Sequence, residues 1–181
     1  MKRFFKRMLW ISGIILLIWL ILAKSFMTMR KPDQEAKKEF AKNGVLLTTA
    51  GIIVDGRHIH YVSTGNEKLP TLFFVHGTPG SWDAFENYSK DKELLRHFRM
   101  VSIDRPGFGY SDYGKPEHLA RQSELISPLF RTFDNHHPIF IAGHSLGGPM
   151  VIKLAADNPS VFSDIVIISG SIDPAEEKPE K

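Results

Sequence analysis

Residues 138–148, Pro-Ile-Phe-Ile-Ala-Gly-His-Ser-Leu-Gly-Gly, constrain the fold of this chain more than any other segment. An apolar run of strand type ends in G-x-S-x-G, and small residues then open an apolar stretch of helical type. A strand that turns directly into a helix needs a sharp bend, and Gly143 and Gly147 supply the clearance for it. The bend pushes the Ser145 hydroxyl outward, which makes Ser145 the candidate nucleophile. Serine is a weak nucleophile near neutral pH, so the motif calls for a histidine base and a carboxylate to orient it. The eight histidines are His58, His60, His76, His97, His118, His136, His137 and His144, and none follows Ser145.

The segments around this bend repeat one pattern. Residues 71–75, 98–103, 138–142 and 165–169 read as short apolar strands; residues 82–95, 118–133 and 146–156 between them read as helices. Such alternation predicts an α/β domain with a mostly parallel sheet and helices on both faces. Ahead of it, residues 46–54 and 58–63 read as a hairpin closed at Asp55-Gly56, a dipeptide suited to positive backbone angles. His58 and His60 fall on one face of that hairpin, and without a third ligand nearby they read as a surface pair and not a metal site. Residues 32–42 read as a short solvated spacer helix, opened by Pro32, supported by Asp33 and Lys37, and stopped by Asn43-Gly44.

In an open α/β sheet, ligands gather beyond the carboxyl ends of the strands. Two further loops there are rich in glycine: His76-Gly77-Thr78-Pro79-Gly80-Ser81, and Asp104-Arg105-Pro106-Gly107-Phe108-Gly109-Tyr110-Ser111-Asp112. The first can aim a backbone N–H at a developing oxyanion. Asp104 and Arg105 read as turn and ion-pair residues, His144 as a packing or rim residue, and Phe74, Trp82 and Phe85 as core. Ser81 and Ser111 lack flanking elbow glycines and are poor rival nucleophiles.

H-G-x-P-G, D-R-P-G-F-G and G-x-S-x-G in this order resemble the α/β-hydrolase superfamily over about residues 46–173. The resemblance implies an α/β-hydrolase fold with Ser145 as nucleophile and the backbone N–H groups of Thr78 and Leu146 as oxyanion donors. It gives His76 a structural place in the oxyanion loop. It orders the triad as serine, acid, histidine, which leaves Asp173 as the one carboxylate soon after the last strand and no histidine at all. The chain is therefore expected to be the N-terminal part of a longer protein and inactive by itself. The implied chemistry is cleavage of a small-molecule ester, thioester or amide through an acyl-enzyme, with no cofactor or metal. The alternative is a non-catalytic, membrane-tethered binding domain that keeps the elbow as architecture.

The chain holds no cysteine, which rules out disulfides, thiolate metal sites and an acylated lipoprotein signal. Residues 1–31 carry seven of the 23 Lys and Arg and none of the 20 Asp and Glu, so the basicity belongs to the N-terminus and no nucleic-acid face is expected. Residues 8–23 are uncharged and apolar apart from Ser12 and Gly13. As a helix they span roughly 24 Å against a hydrocarbon core of about 30 Å, and flanking Lys and Arg stems can reach across the difference. Lys2, Arg3, Lys6 and Arg7 precede this stretch and predict a single-pass anchor with a cytoplasmic N-terminus and a translocated domain. A cleaved signal and a secreted product is the alternative, although Ile21 and Ala23 fit a cleavage site poorly. The expected organisation is an anchor at 1–23, a juxtamembrane spacer at 24–45 and a truncated hydrolase core at 46–181.

Overall fold

The computed structural model describes residues 2–28 and 31–170, which belong to two compact units that divide between residues 30 and 31. The first unit is helix α1 (Lys2–Thr28). Within it, Lys6–Ala23 is long and apolar enough to cross a membrane, and the side chains of residues 6–22 are exposed. Ser12, the sole hydroxyl of that stretch, donates to the Leu9 carbonyl at 3.0 Å, so the helix satisfies it internally.

The second unit is built on a six-stranded sheet: β1 (Thr48–Val54), β2 (Arg57–Thr64), β3 (Thr71–Val75), β4 (Arg99–Ile103), β5 (Ile139–His144) and β6 (Asp164–Ile168). Their order is β1-β2-β4-β3-β5-β6; β1–β2 and β2–β4 are antiparallel, and the remaining pairs are parallel. Asp55 and Gly56 join β1 to β2 with φ of 51° and 74°, and Val54 pairs with Arg57 directly across the turn. Period-two alternation divides the core between the faces. Phe73 and Val75 pack with Leu125, Ile126 and Leu129 of helix α5 (Leu119–Arg131) and with Met150, Val151 and Leu154 of helix α6 (Gly147–Asp157). Leu72 and Phe74 turn the other way, onto Phe85, Met100 and Ala142, where Phe74 and Phe85 stack at 4.6 Å. Helices thus cover both faces of a mostly parallel sheet, as the sequence pattern predicts.

Two expectations need correction. The single helix expected at 82–95 is a 3₁₀ turn (Trp82–Phe85) followed by α3 (Glu86–Ser89) and, after a break, α4 (Leu94–His97). Asp91 makes the break: its carboxylate accepts the Glu93 and Leu94 N–H groups at 2.9 Å each, an alternative to continuing the helix. Helix α2 (Asp33–Lys42), expected as a solvated spacer, buries Ala36 and Phe40 completely against Val62 and Trp82. Two buried apolar residues at i and i+4 form a stripe too narrow to read against seven polar or charged neighbours, yet one aromatic ring suffices to dock the helix. Lys31 and Lys90 each bridge Glu39 and Glu86, which ties α2 to α3.

Replacing Phe40 with alanine is expected to cost about 3–5 kcal/mol, the usual range for emptying a buried aromatic site. Urea unfolding monitored by tryptophan fluorescence measures it; an unchanged midpoint would mean that α2 is a spacer after all.

Candidate active site

The turn after β5 is confined on two sides. A Cβ on Gly143 would lie 2.2 Å from the Gly147 carbonyl oxygen, and one on Gly147 would lie 2.1 Å from the Val75 oxygen of β3. No side chain fits in either gap, which explains both glycines of the motif. Ser145, between them, has φ of 53°, a left-handed conformation uncommon for a residue with a side chain. Its N–H donates to the Ile168 carbonyl at 3.1 Å and its carbonyl accepts from Gly148 at 2.8 Å, so the strained turn is held from both ends. The residue is half-exposed, and its hydroxyl has no hydrogen-bond partner among the described residues.

The loop after β3 runs alongside. A Cβ on Gly77 would meet Ser145 Cβ at 2.9 Å and Oγ at 3.3 Å, so this position too is closed to larger residues. Neither the Thr78 N–H nor the Leu146 N–H donates to another group among the described residues. Both expected oxyanion donors therefore sit on the loops that flank Ser145 with their hydrogens unengaged.

His76 holds the first loop in place. Its Nε2 accepts the Arg105 N–H at 3.1 Å, which leaves the ring proton on Nδ1, and Nδ1 donates to the Gly77 carbonyl at 2.7 Å. Burial, aided by the charge of Arg105, lowers its pKa to about 4. With both nitrogens engaged, His76 is a strut and not a base for Ser145. The Arg105 guanidinium adds a second brace, since Nη2 donates to the Gly77 carbonyl at 3.0 Å and to Thr78 Oγ1.

The loop after β4 is organised by a buried carboxylate. Asp104 is fully buried; Oδ1 accepts the Trp82 N–H at 2.7 Å, and Oδ2 accepts the Tyr110 N–H at 2.9 Å and the His60 Nδ1–H at 2.8 Å. Gly109 has φ of 50° and lies so close that a Cβ would meet the carboxylate at 2.2 Å. Ser111 Oγ donates to the Asp104 carbonyl at 2.6 Å and accepts the His60 N–H at 2.8 Å. The surface pair expected of His58 and His60 is thus half wrong: His60 is 5% exposed and belongs to this network. His60 and Asp104 have the separation of a catalytic pair but stand in the wrong place. Strands β4 and β3 separate β2 from β5, and three strand steps of roughly 4.8 Å put His60 about 14 Å from the elbow.

Of the residues expected from the sequence, Ser145 lies beside Gly77, the neighbour of Thr78, and Thr78 and Leu146 line one cleft. Sequence reading missed the bracing by Arg105 and the burial of His60, because neither has a sequence signal beyond the residue type. His144 is exposed, as a rim residue would be, and Phe74, Trp82 and Phe85 are buried. Asp173 lies outside the described residues. Thr78 and Leu146 also border a cleft of about 640 Å³, walled by Arg105, Phe108, Tyr113 and Leu119.

The family model described as alpha/beta hydrolase fold matches residues 70–180. Among curated relatives, epoxide hydrolase 1 of Caenorhabditis elegans is 28% identical over 112 residues, 60% of this chain and 27% of that protein. The uncharacterized hydrolase YugF of Bacillus subtilis is 29% identical over 121 residues, 65% of this chain and 43% of its own length. The chain thus spans less than half the length of either. The crystal structure of a membrane phospholipase A, a bacterial virulence factor, superposes with a TM-score of 0.67 at 23% identity and covers 98% of this chain and 55% of that one.

The lowered pKa of His76 sets an acid limit on stability. Its folded value of about 4 lies below the unfolded value of 6.5, so as pH falls through that window the unfolded chain takes up a proton the folded chain refuses. Stability is expected to drop by up to about 3 kcal/mol between pH 6.5 and 4. Urea midpoints across this range should fall less steeply in His76→Gln; parallel curves for the two proteins would refute the assignment.

Proposed function

Because the chain belongs to the alpha/beta hydrolase fold family, we propose that it is the nucleophile-bearing part of a serine hydrolase that cleaves an ester, thioester or amide through an acyl-enzyme. The observation that carries this reading is the Ser145 turn, strained at φ of 53° beside Gly77 and flanked by the unengaged N–H groups of Thr78 and Leu146. Ser145 Oγ adds to the substrate carbonyl and gives its proton to a base, while the two N–H groups hold the oxygen that becomes negative. Collapse of the adduct expels the alcohol, thiol or amine and leaves an acyl ester on Ser145, which water then cleaves. His76 and His60 are committed to structural hydrogen bonds and do not serve as that base, and Asp173 is the candidate for the carboxylate that orients it.

Several relatives are named epoxide hydrolases, and chemistry argues against that substrate here. A serine that opened an epoxide would become a β-hydroxy ether, with no carbonyl for water to attack, and each molecule would react once. A serine that takes an acyl group forms an ester and turns over. The elbow residue therefore favours acyl transfer.

Residues 8–23 tether the domain as a single-pass anchor, with the basic N-terminus cytoplasmic and the hydrolase unit on the far side. External protease should digest the domain in intact cells; protection there, with digestion only after permeabilisation, would reverse the topology.

A second reading is a non-catalytic membrane-tethered binding domain that keeps the Ser145 turn as architecture. The protein as its gene expresses it, treated with a fluorophosphonate probe, separates the two. Labelling that disappears in Ser145→Ala supports the hydrolase; a folded protein that stays unlabelled supports the binding domain.

A further inference from the structure

The cleft beside the elbow contains a buried cation without a counter-ion among the described residues. Arg105 is 3% exposed, and its bonds to Gly77 and Thr78 engage Nη2 alone. Nε is buried and has no acceptor, Nη1 makes no hydrogen bond among the described residues, and no carboxylate there forms a salt bridge with the guanidinium. Burial pushes its pKa down to about 10, and no acid among the described residues offsets the effect. An uncompensated buried charge is costly, and a structure retains one where a ligand of opposite sign completes it.

The surroundings favour an anion. The guanidinium lies over the Phe108 ring at 4.7 Å, which fixes its plane at the cleft wall. Lys115, exposed on the same cleft, has no ion pair among the described residues, whereas the nearby Glu117 is neutralised by Arg57 at 3.0 Å. The cleft is therefore electropositive, and it shares Thr78 and Leu146 with the elbow. Arginine is the side chain best matched to carboxylate and phosphate oxygens.

We propose that Arg105 forms an anion subsite in this cleft, so that the acyl substrate attacked by Ser145 carries a carboxylate or phosphate group. The substrate part of this inference rests on the serine hydrolase reading above; the subsite itself does not. Charge at this position would align the ester by its far end and discriminate against neutral analogues.

The test is calorimetric titration of the full chain in neutral detergent with monomethyl glutarate, methyl phosphate and uncharged dimethyl glutarate. At least one anion is expected to bind tenfold or more tightly than the neutral diester, and the tighter of the two identifies the group recognised. Arg105→Met should abolish the difference. Because Arg105 also braces Gly77, that variant is checked by circular dichroism, and the exposed Lys115→Ala, expected to weaken the anion two- to threefold, serves if it misfolds. Equal binding of anion and diester, or no binding of any probe, overturns the subsite, as does anion preference unchanged in folded Arg105→Met. Anion preference without fluorophosphonate labelling would sink the hydrolase reading and leave the subsite standing; labelling without anion preference would do the reverse.

Discussion

The turn at Ser145 is packed so closely that Gly143, against the Gly147 carbonyl, and Gly147, against Val75 of β3, have no room for a single carbon more. From that approach the rest of the site follows. Because α6 starts directly over Val75, the loop that leaves β3 has to run beside the turn, and Gly77 lies within a carbon's width of Ser145. Packing on β3 from one side and the hydrogen bond to Ile168 from the other keep Ser145 in a backbone conformation it would leave if either were released. The parallel sheet matters here through direction: β3, β4 and β5 all deliver their loops to one end, where three short segments can meet.

The polar groups beneath that end divide into a satisfied set and an unsatisfied one. Asp104 accepts three hydrogen bonds from different segments and acts as the pin that gathers β2, the 3₁₀ turn and the β4 loop. His76 spends both ring nitrogens on structure. Arg105 differs, since one nitrogen braces the loop after β3 and the others have no partner among the described residues. One side chain thus links the geometry of Gly77 and Thr78 to the charge of the neighbouring cleft.

Much of this was legible in the chain. The strand–loop–helix alternation predicted the sheet and its two helical layers, because apolar periodicity reflects burial wherever one face meets a core. Gly143, Gly147 and Ser145 predicted the elbow, because few residue types tolerate that backbone. The break at Asp91 was hidden, since a carboxylate that caps two N–H groups looks like any other acidic residue on a helix. The docking of α2 was hidden too, since Phe40 finds its partner Trp82 forty-two positions away.

By itself the sequence determined the class of fold, the position of the strand-to-helix turn at Ser145 and the apolar stretch at the N-terminus, all of which depend on neighbouring residues and local periodicity. Only the tertiary structure decided that His76 is a strut, that His60 is buried with Asp104 too far from Ser145 to serve it, and that Arg105 stands at the cleft with no carboxylate partner among the described residues. Those roles are set by what lies across the sheet or between loops, and distance through space is not encoded in any short run of residues.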